Sequence, residues 1–352
     1  MTFIKKINEY RRVLTHSLTK NIGNSTVNQN QNIDLTTQVE IKRVLICRPN
    51  ARLGNLLLIT PLVEEVTSTF PGCKIDLFVK GFLAPIIFEK QENINYIIEL
   101  PKKPFENLIA YFKVWIKIKK QHYDIVINVD KGSSSGRLAA QFANAKYKFF
   151  GEGDLDIPLK YQDYKHMAKY PIYSFRSFLT KLGFPKNENP IPSLNLKLSP
   201  SEIAAGKKVL DAIVSKEKKT LCIFTFATGD KCYSESWWEK FYERLKTEYP
   251  NYNVLEVLPI ENVSQIGFKA PTFYSKDIRE IGSLIANTEL FIGADSGMMH
   301  LASSAQTPTV GLFKFDNLIR YQPYNNKSIA IDTNNNAMED WIKATNKILL
   351  KD

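Results

Sequence analysis

The 352-residue sequence is poor in cysteine: it has four, none in C-x-x-C spacing. Cys47, Cys73, Cys222 and Cys232 therefore offer neither a disulfide framework nor a zinc-ligand pattern. Cys47 and Cys222 lie inside apolar runs, where cysteine packs as a small hydrophobe. No apolar run approaches the ~20 residues that span a bilayer. The opening MTFIKKINEYRR lacks the apolar stretch and small-residue cleavage site of a secretory signal, so the expected location is the cytoplasm. Homeodomain, zinc-finger and RNP-type patterns are missing too, which argues against a nucleic-acid partner. What is present is an ordinary globular composition, 44% hydrophobic and 24% charged, in a chain long enough for about two domains. The formal charge of +11 fits either a generic basic surface or anionic partners: nucleotides, phosphorylated glycans or acidic lipid headgroups.

Residues 3–20 place Phe3, Ile7, Tyr10, Leu14 and Leu18 on one helical face, with Lys5, Lys6, Arg11, Arg12 and Lys20 around it. A basic amphipathic helix of this kind can lie on an anionic membrane surface or pack on protein. The polar, Asn- and Gln-rich stretch that follows reads as a linker. From Lys42 strands alternate with helices: VLIC, a helix from about Leu56, KIDLFV, a helix near 82–88, INYIIEL, a helix over 105–120, and DIVINV. Four prolines within 185–200 suit an inter-domain crossing. A second series then runs TLCIFTF, SWWEKFYERLK, NVLEVL, DIREIGSLIA, LFIGA, GMMHLASSA and TPTVGLF, with a last helix over 338–349. Such alternation predicts βαβ units and parallel sheets. The expected division is a helix and linker over 1–40, Rossmann-like domains over 41–190 and 191–336 facing a central cleft, and a C-terminal helix over 337–352.

Three segments could carry chemistry. In LFIGADSGMMHLASSA a buried strand ends at Asp295, Ser296 and Gly297 turn the chain, and a helix carrying His300 begins. The free amides and positive dipole end of such a helix suit a phosphate, although Asp and Ser are also ordinary N-cap residues. In FTFATGDKCYSESWW another strand runs into a loop with Thr228, Gly229 and Lys231, a hydroxyl, a permissive glycine and an ammonium suited to a diphosphate. Strand C-terminal ends are where open α/β sheets bind ligands. The third, VLPIEN, puts Glu261 just beyond a strand, where it could meet ribose hydroxyls or simply face solvent.

Together these segments resemble glycosyltransferase family 9, the ADP-heptose:lipopolysaccharide heptosyltransferases. The likeness rests on Arg48…Leu53-Gly54-Asn55…Thr60-Pro61 and on Asp295-Ser296-Gly297…His300-Leu301-Ala302, and covers roughly Lys42 to Asp332. It implies a two-domain GT-B fold, inversion at the anomeric carbon and no essential metal or other cofactor. A nucleotide-sugar donor would be held by the C-terminal half and a glycolipid or other cell-envelope glycan acceptor by the N-terminal half. Carried over by position, Thr228, Gly229 and Lys231 would contact the diphosphate and Glu261 the nucleoside. Asp295, Ser296 and Gly297 would hold donor sugar and phosphates, with His300 supporting their loop. Arg48, Arg52 and Gly54 fall on the acceptor side. The implied site is cytoplasmic, peripheral on the inner membrane face.

One position departs from the family. The residue after the turn glycine is there a carboxylate, the general base for the acceptor hydroxyl; here it is Asn55. An amide can orient a hydroxyl but cannot take its proton, and general base catalysis is typically worth 10²–10⁴-fold. Either another carboxylate serves, Asp130 after the strand DIVINV being the candidate, or an acidic acceptor assists itself. The remaining possibility is a non-catalytic sugar-nucleotide-binding or scaffolding protein on the same fold.

Overall fold

The computed structural model describes residues 40–101 and 108–349. The helix expected over 3–20, its linker and the start of the helix expected over 105–120 lie outside the described residues. Chain order begins β1 (Arg43–Arg48), α1 (Leu53–Leu57), α2 (Thr60–Thr69), β2 (Lys74–Lys80), α3 (Ala84–Ile87) and β3 (Ile94–Leu100). It continues α4 (Leu108–Lys120), β4 (His122–Asn128), α5 (Ser134–Phe142), β5 (Asn144–Phe149), α6 (Ile157–Lys160) and α7 (Tyr170–Lys181). Then follow α8 (Pro200–Ile213), β6 (Lys219–Phe224), α9 (Glu235–Glu248), β7 (Tyr252–Val257), β8 (Thr272–Phe273), α10 (Ile278–Ile285) and β9 (Leu290–Ala294). The remainder is α11 (Gly297–Ser304), β10 (Thr309–Phe313), α12 (Leu318–Tyr321), β11 (Ile329–Asp332) and α13 (Met338–Leu349).

Two compact units result. Among the described residues the first comprises 40–51, Pro61–Pro85, 91–101 and 108–192; the second comprises Arg52–Thr60, Ile86–Lys90 and 193–349. The short stretch Arg52–Thr60, expected in the N-terminal domain, thus packs with the C-terminal one.

The first unit is built on a parallel sheet of order β3-β2-β1-β4-β5. Val44 of β1 pairs with Ile75 and with Ile125, so β1 is hydrogen-bonded on both sides. Val44, Leu45, Ile46 and Cys47 are fully buried, as a parallel strand covered on both faces requires. Against the sheet pack Ala139 and Ala140 of α5 and Ile118 of α4, with Trp115 tilted on Phe78 at 5.8 Å.

The second unit repeats this winding with order β11-β10-β9-β6-β7-β8. Its core gathers Leu221, Ile223, Leu290, Ile292, Val310 and Leu312 from the sheet with Trp238, Phe241 and Leu245 from α9. The C-terminal helix belongs to that core, because Trp341, Ile342 and Ile348 are buried in it and Trp341 lies 5.1 Å from Trp237. In each sheet the first strand is central, the next two lie to one side and the later ones to the other. The winding direction therefore reverses between β1 and β4, and again between β6 and β9. Open sheets of this type bind ligands beyond the strand C-termini at such reversals.

The helix expected from about Leu56 is two helices. Pro61 has no N–H to give to the Leu57 carbonyl four residues back, and the Thr60 hydroxyl donates to that carbonyl instead, at 2.8 Å. The break leaves α1 as a separate turn of helix. Elements beyond the sequence reading are α5, β5, α6, α7, α8, β8, α12 and β11.

Candidate active site

In the second unit the reversal lies between β6 and β9. The apolar β9 ends at Ala294, and Asp295 follows, buried, its backbone N–H donating to the Leu312 carbonyl at 3.0 Å. Ser296 caps α11 by accepting from the Met299 amide at 3.4 Å. The loop after β6 curls into a 3₁₀ turn over Gly229–Lys231, with Gly229 at φ +66°, a left-handed conformation that glycine adopts without strain. That turn aims Lys231 at Asp295, with which it forms an ion pair. Lys314 fixes the turn from outside by donating to the carbonyls of Asp230 and Cys232, at 3.3 and 3.2 Å. Asn317 donates to the same Asp295 oxygen at 2.6 Å. The Asn317 side-chain Oδ1 is buried and takes no hydrogen bond from the protein, an acceptor held ready within the site. A buried carboxylate is tolerated here because an ammonium and an amide both face it.

His300, one turn into α11, is buried with its imidazole pushed down to about 4. Desolvation is the main cause; Asp295 opposes it and Lys231 adds to it. The ring is neutral at physiological pH and acts in packing. Tyr321 meets it edge-on at 6.2 Å, and Lys231 lies over the same tyrosine ring at 5.7 Å. On the other side stands α1. A Cβ at Gly54 would come within 2.7 Å of His300 Cδ2 and 3.4 Å of Gly297 Cα, so only glycine permits this approach. Asn55 is half-buried on α1, and Arg52 is exposed at its N-cap.

In the first unit the reversal lies between β1 and β4. Arg48, the last residue of β1, is buried, and its guanidinium donates to Asp130 Oδ2 at 2.7 Å. Asp130 Oδ1 accepts the Gly132 amide at 3.0 Å, and the carboxylate remains partly exposed. Asn128 shapes this loop from beneath, donating to the carbonyls of Asp130 and Phe150 at 2.9 and 2.8 Å. A Cβ at Gly136 would sit 2.1 Å from Asn128 Oδ1, so glycine is required under it. Tyr170 of α7 closes the loop by donating to the Val129 carbonyl at 2.6 Å. Each sheet thus carries a cation–aspartate pair at its point of reversal.

The structure therefore joins Lys231, Asp295, Ser296, Gly297, His300 and Gly54 in one cluster, and Arg48 with Asp130 in another. Thr228 and Gly229 lie exposed on the loop beside Lys231, and Glu261 is exposed on the turn after β7. A different acid, Glu256, is buried at the end of β7. It accepts from the hydroxyls of Thr225 at 2.5 Å and Ser264 at 2.7 Å, and desolvation raises its pKa. Sequence reasoning missed Asn317, Tyr321, Lys314 and Glu256. The first three lie just beyond β10, another strand end, and that position was their only signal.

Among the described residues no three His, Cys, Asp or Glu side chains are grouped to hold a metal ion, and no helix is long and apolar enough to cross a membrane.

Two parallel-sheet α/β domains wound in this way define the GT-B fold, and comparison with known proteins agrees. The model of glycosyltransferase family 9 (heptosyltransferase) matches residues 275–348, the stretch that holds α10, β9, α11, β10 and Asn317. Lipopolysaccharide heptosyltransferase 3 of Escherichia coli is 24% identical over 295 residues, 78% of this chain and 85% of that protein. The crystal structure of a family 9 glycosyl transferase from Veillonella parvula superposes with a TM-score of 0.68 at 19% identity, covering 88% of this chain and 98% of that one. The E. coli ADP-heptose lipopolysaccharide heptosyltransferase II structure gives 0.64 at 16% identity, over 88% and 98%. Together these likenesses give the chain the fold of the family 9 glycosyltransferases and a family 9 sequence match over 275–348.

Proposed function

We propose that the protein transfers a heptose from ADP-heptose to a lipopolysaccharide core acceptor, inverting the anomeric carbon. The observation that carries the reading is the Lys231–Asp295–Asn317 cluster set at the N-terminus of α11, on the reversal point of the second sheet. Lys231, the Ser296 hydroxyl and the first amides of α11 stabilise the negative charge that develops on the departing ADP. Asp295, neutralised by Lys231, accepts from hydroxyls of the donor sugar, and Thr228 and Gly229 line the diphosphate. Glu261 reaches the nucleoside from its exposed turn. No metal or other cofactor has a part in this scheme, since the ammonium and the helix end supply the positive charge.

On the acceptor side Asp130 takes the proton of the attacking hydroxyl. The new bond forms from that oxygen to the anomeric carbon, and the bond from the anomeric carbon to the phosphate oxygen breaks. Arg48 orients the Asp130 carboxylate while its partly exposed edge stays open to the acceptor. Arg52, exposed beside α1, meets acidic groups of the acceptor, and Asn55 orients a hydroxyl without accepting its proton. Peripheral contact with the cytoplasmic face of the inner membrane through residues 3–20 belongs to the same proposal.

The test is ADP release from ADP-heptose in the presence of a lipopolysaccharide core acceptor. Asp130→Asn is expected to lower turnover by about 10²–10⁴-fold while ADP affinity is kept. Unchanged turnover removes Asp130 as the base. ADP binding without turnover in the wild type favours the non-catalytic sugar-nucleotide-binding reading, for which Asn55 speaks.

A further inference from the structure

Helix α4 has an inner and an outer face of different character. Tyr111, Val114, Trp115 and Ile118 turn inward onto the first sheet's core. Outward, at steps of three and four, stand Ile109, Phe112, Lys113, Ile116, Lys117 and Lys120, all exposed. The apolar members are 72%, 61% and 53% exposed, a concentration that isolated surface hydrophobics do not reach. The helix LIAYFKVWIKIKK contains no acidic residue. Apolar side chains interleaved with lysines along a single face are what a helix needs to lie at a lipid headgroup boundary, apolar groups sinking and ammoniums meeting phosphates.

We propose that this face of α4 docks the protein on an anionic lipid bilayer. Charge selects that occupant over a second copy of the chain, because face-to-face α4 helices would bring six lysines together with no carboxylate on either helix. The surface is distinct from residues 3–20 and stands without the assignment of donor or acceptor. It lies on the first unit, and its apolar end, Ile109 and Phe112, follows β3. In a crossover helix that end lies toward the strand C-termini, the edge of the sheet on which Arg48 and Asp130 sit.

The experiment is co-sedimentation of the full chain with vesicles of phosphatidylcholine alone or mixed with phosphatidylglycerol. Wild type is expected to bind the mixed vesicles selectively, with binding that weakens as salt is added. Lys113→Gln/Lys117→Gln/Lys120→Gln should weaken that binding on the order of a hundredfold, each lysine near an anionic surface contributing about fivefold. Ile109→Ser/Phe112→Ser/Ile116→Ser should weaken it with Tm and ADP affinity held, since every substituted side chain faces solvent. Wild-type binding equal on both vesicle types, or variants that bind as wild type does, overturns the proposal. A dimer that the serine variant converts to monomer, with vesicle binding unchanged, overturns it as well.

Discussion

Replacing Gly54 by alanine puts a methyl group 2.7 Å from Cδ2 of His300 and 3.4 Å from Cα of Gly297. The imidazole is buried, with the Tyr321 ring on it at 6.2 Å, so it has little room to turn aside. Gly54 has an ordinary helical backbone within α1, and alanine there would by propensity alone stabilise by about 1 kcal/mol. Overpacking of a filled core typically costs about 1–3 kcal/mol, so the sign of the change reports the contact. The expected net loss is up to about 2 kcal/mol, a fall in Tm of up to roughly 8 °C for a unit of this size. The methyl group also pushes α1 from the first turn of α11, so ADP affinity measured by calorimetry should drop with Tm. Adding His300→Ala to Gly54→Ala removes the clash, and the double-mutant cycle should return a coupling of about 1 kcal/mol or more. A Gly54→Ala variant with a raised Tm and wild-type ADP affinity would refute the packing argument.

Lys231→Ala should weaken ADP binding by about 10–100-fold, the worth of a hydrogen bond to a charged group at roughly 1.5–3 kcal/mol; unaltered affinity in calorimetry would remove it from the diphosphate contact. The His300 imidazole titrates at about 4 in the folded chain against 6.5 as the reference. The unfolded chain therefore binds a proton first as pH falls, and stability is lost between pH 6.5 and 4, by about 2 kcal/mol from pH ~7.5 to ~5. Urea unfolding at both pH values should show that loss in wild type and much less of it in His300→Gln. Equal losses would place the pH dependence elsewhere.

The alternation of strands and helices was legible because both sheets are parallel and buried, so their strands read as short apolar runs such as VLIC and LFIGA. Polar β5, with four of its six residues not fully buried, gave no such run. The α1/α2 break was written in Thr60-Pro61, although only the freed Leu57 carbonyl shows its cause. Asp295 and Lys231 were visible as polar residues at strand ends, but their pairing spans 64 positions and depends on the curl at Gly229. Asn317 carried no local signature, being one of several polar residues in a loop. Gly54 was legible as a turn residue; that it faces His300 across 246 positions required the fold. Asn55 reads in sequence as a member of the acceptor half, and the chain's own packing sets it on the second unit.

The placement of α1 has a consequence for how the protein can be made and divided. The second unit is not a continuous stretch of chain: Arg52–Thr60 is separated from Ser193 by most of the first unit. At ribosomal rates of roughly 5–20 residues per second, Gly54 waits about ten to fifty seconds for His300 to be synthesised. Any fragment cut after Pro192 leaves the His300 face of α11 without its cover, so the two halves cannot be exchanged or expressed as modules along that boundary. A transplanted second unit must carry both its nine-residue patch from near the start of the chain and Ile86–Lys90.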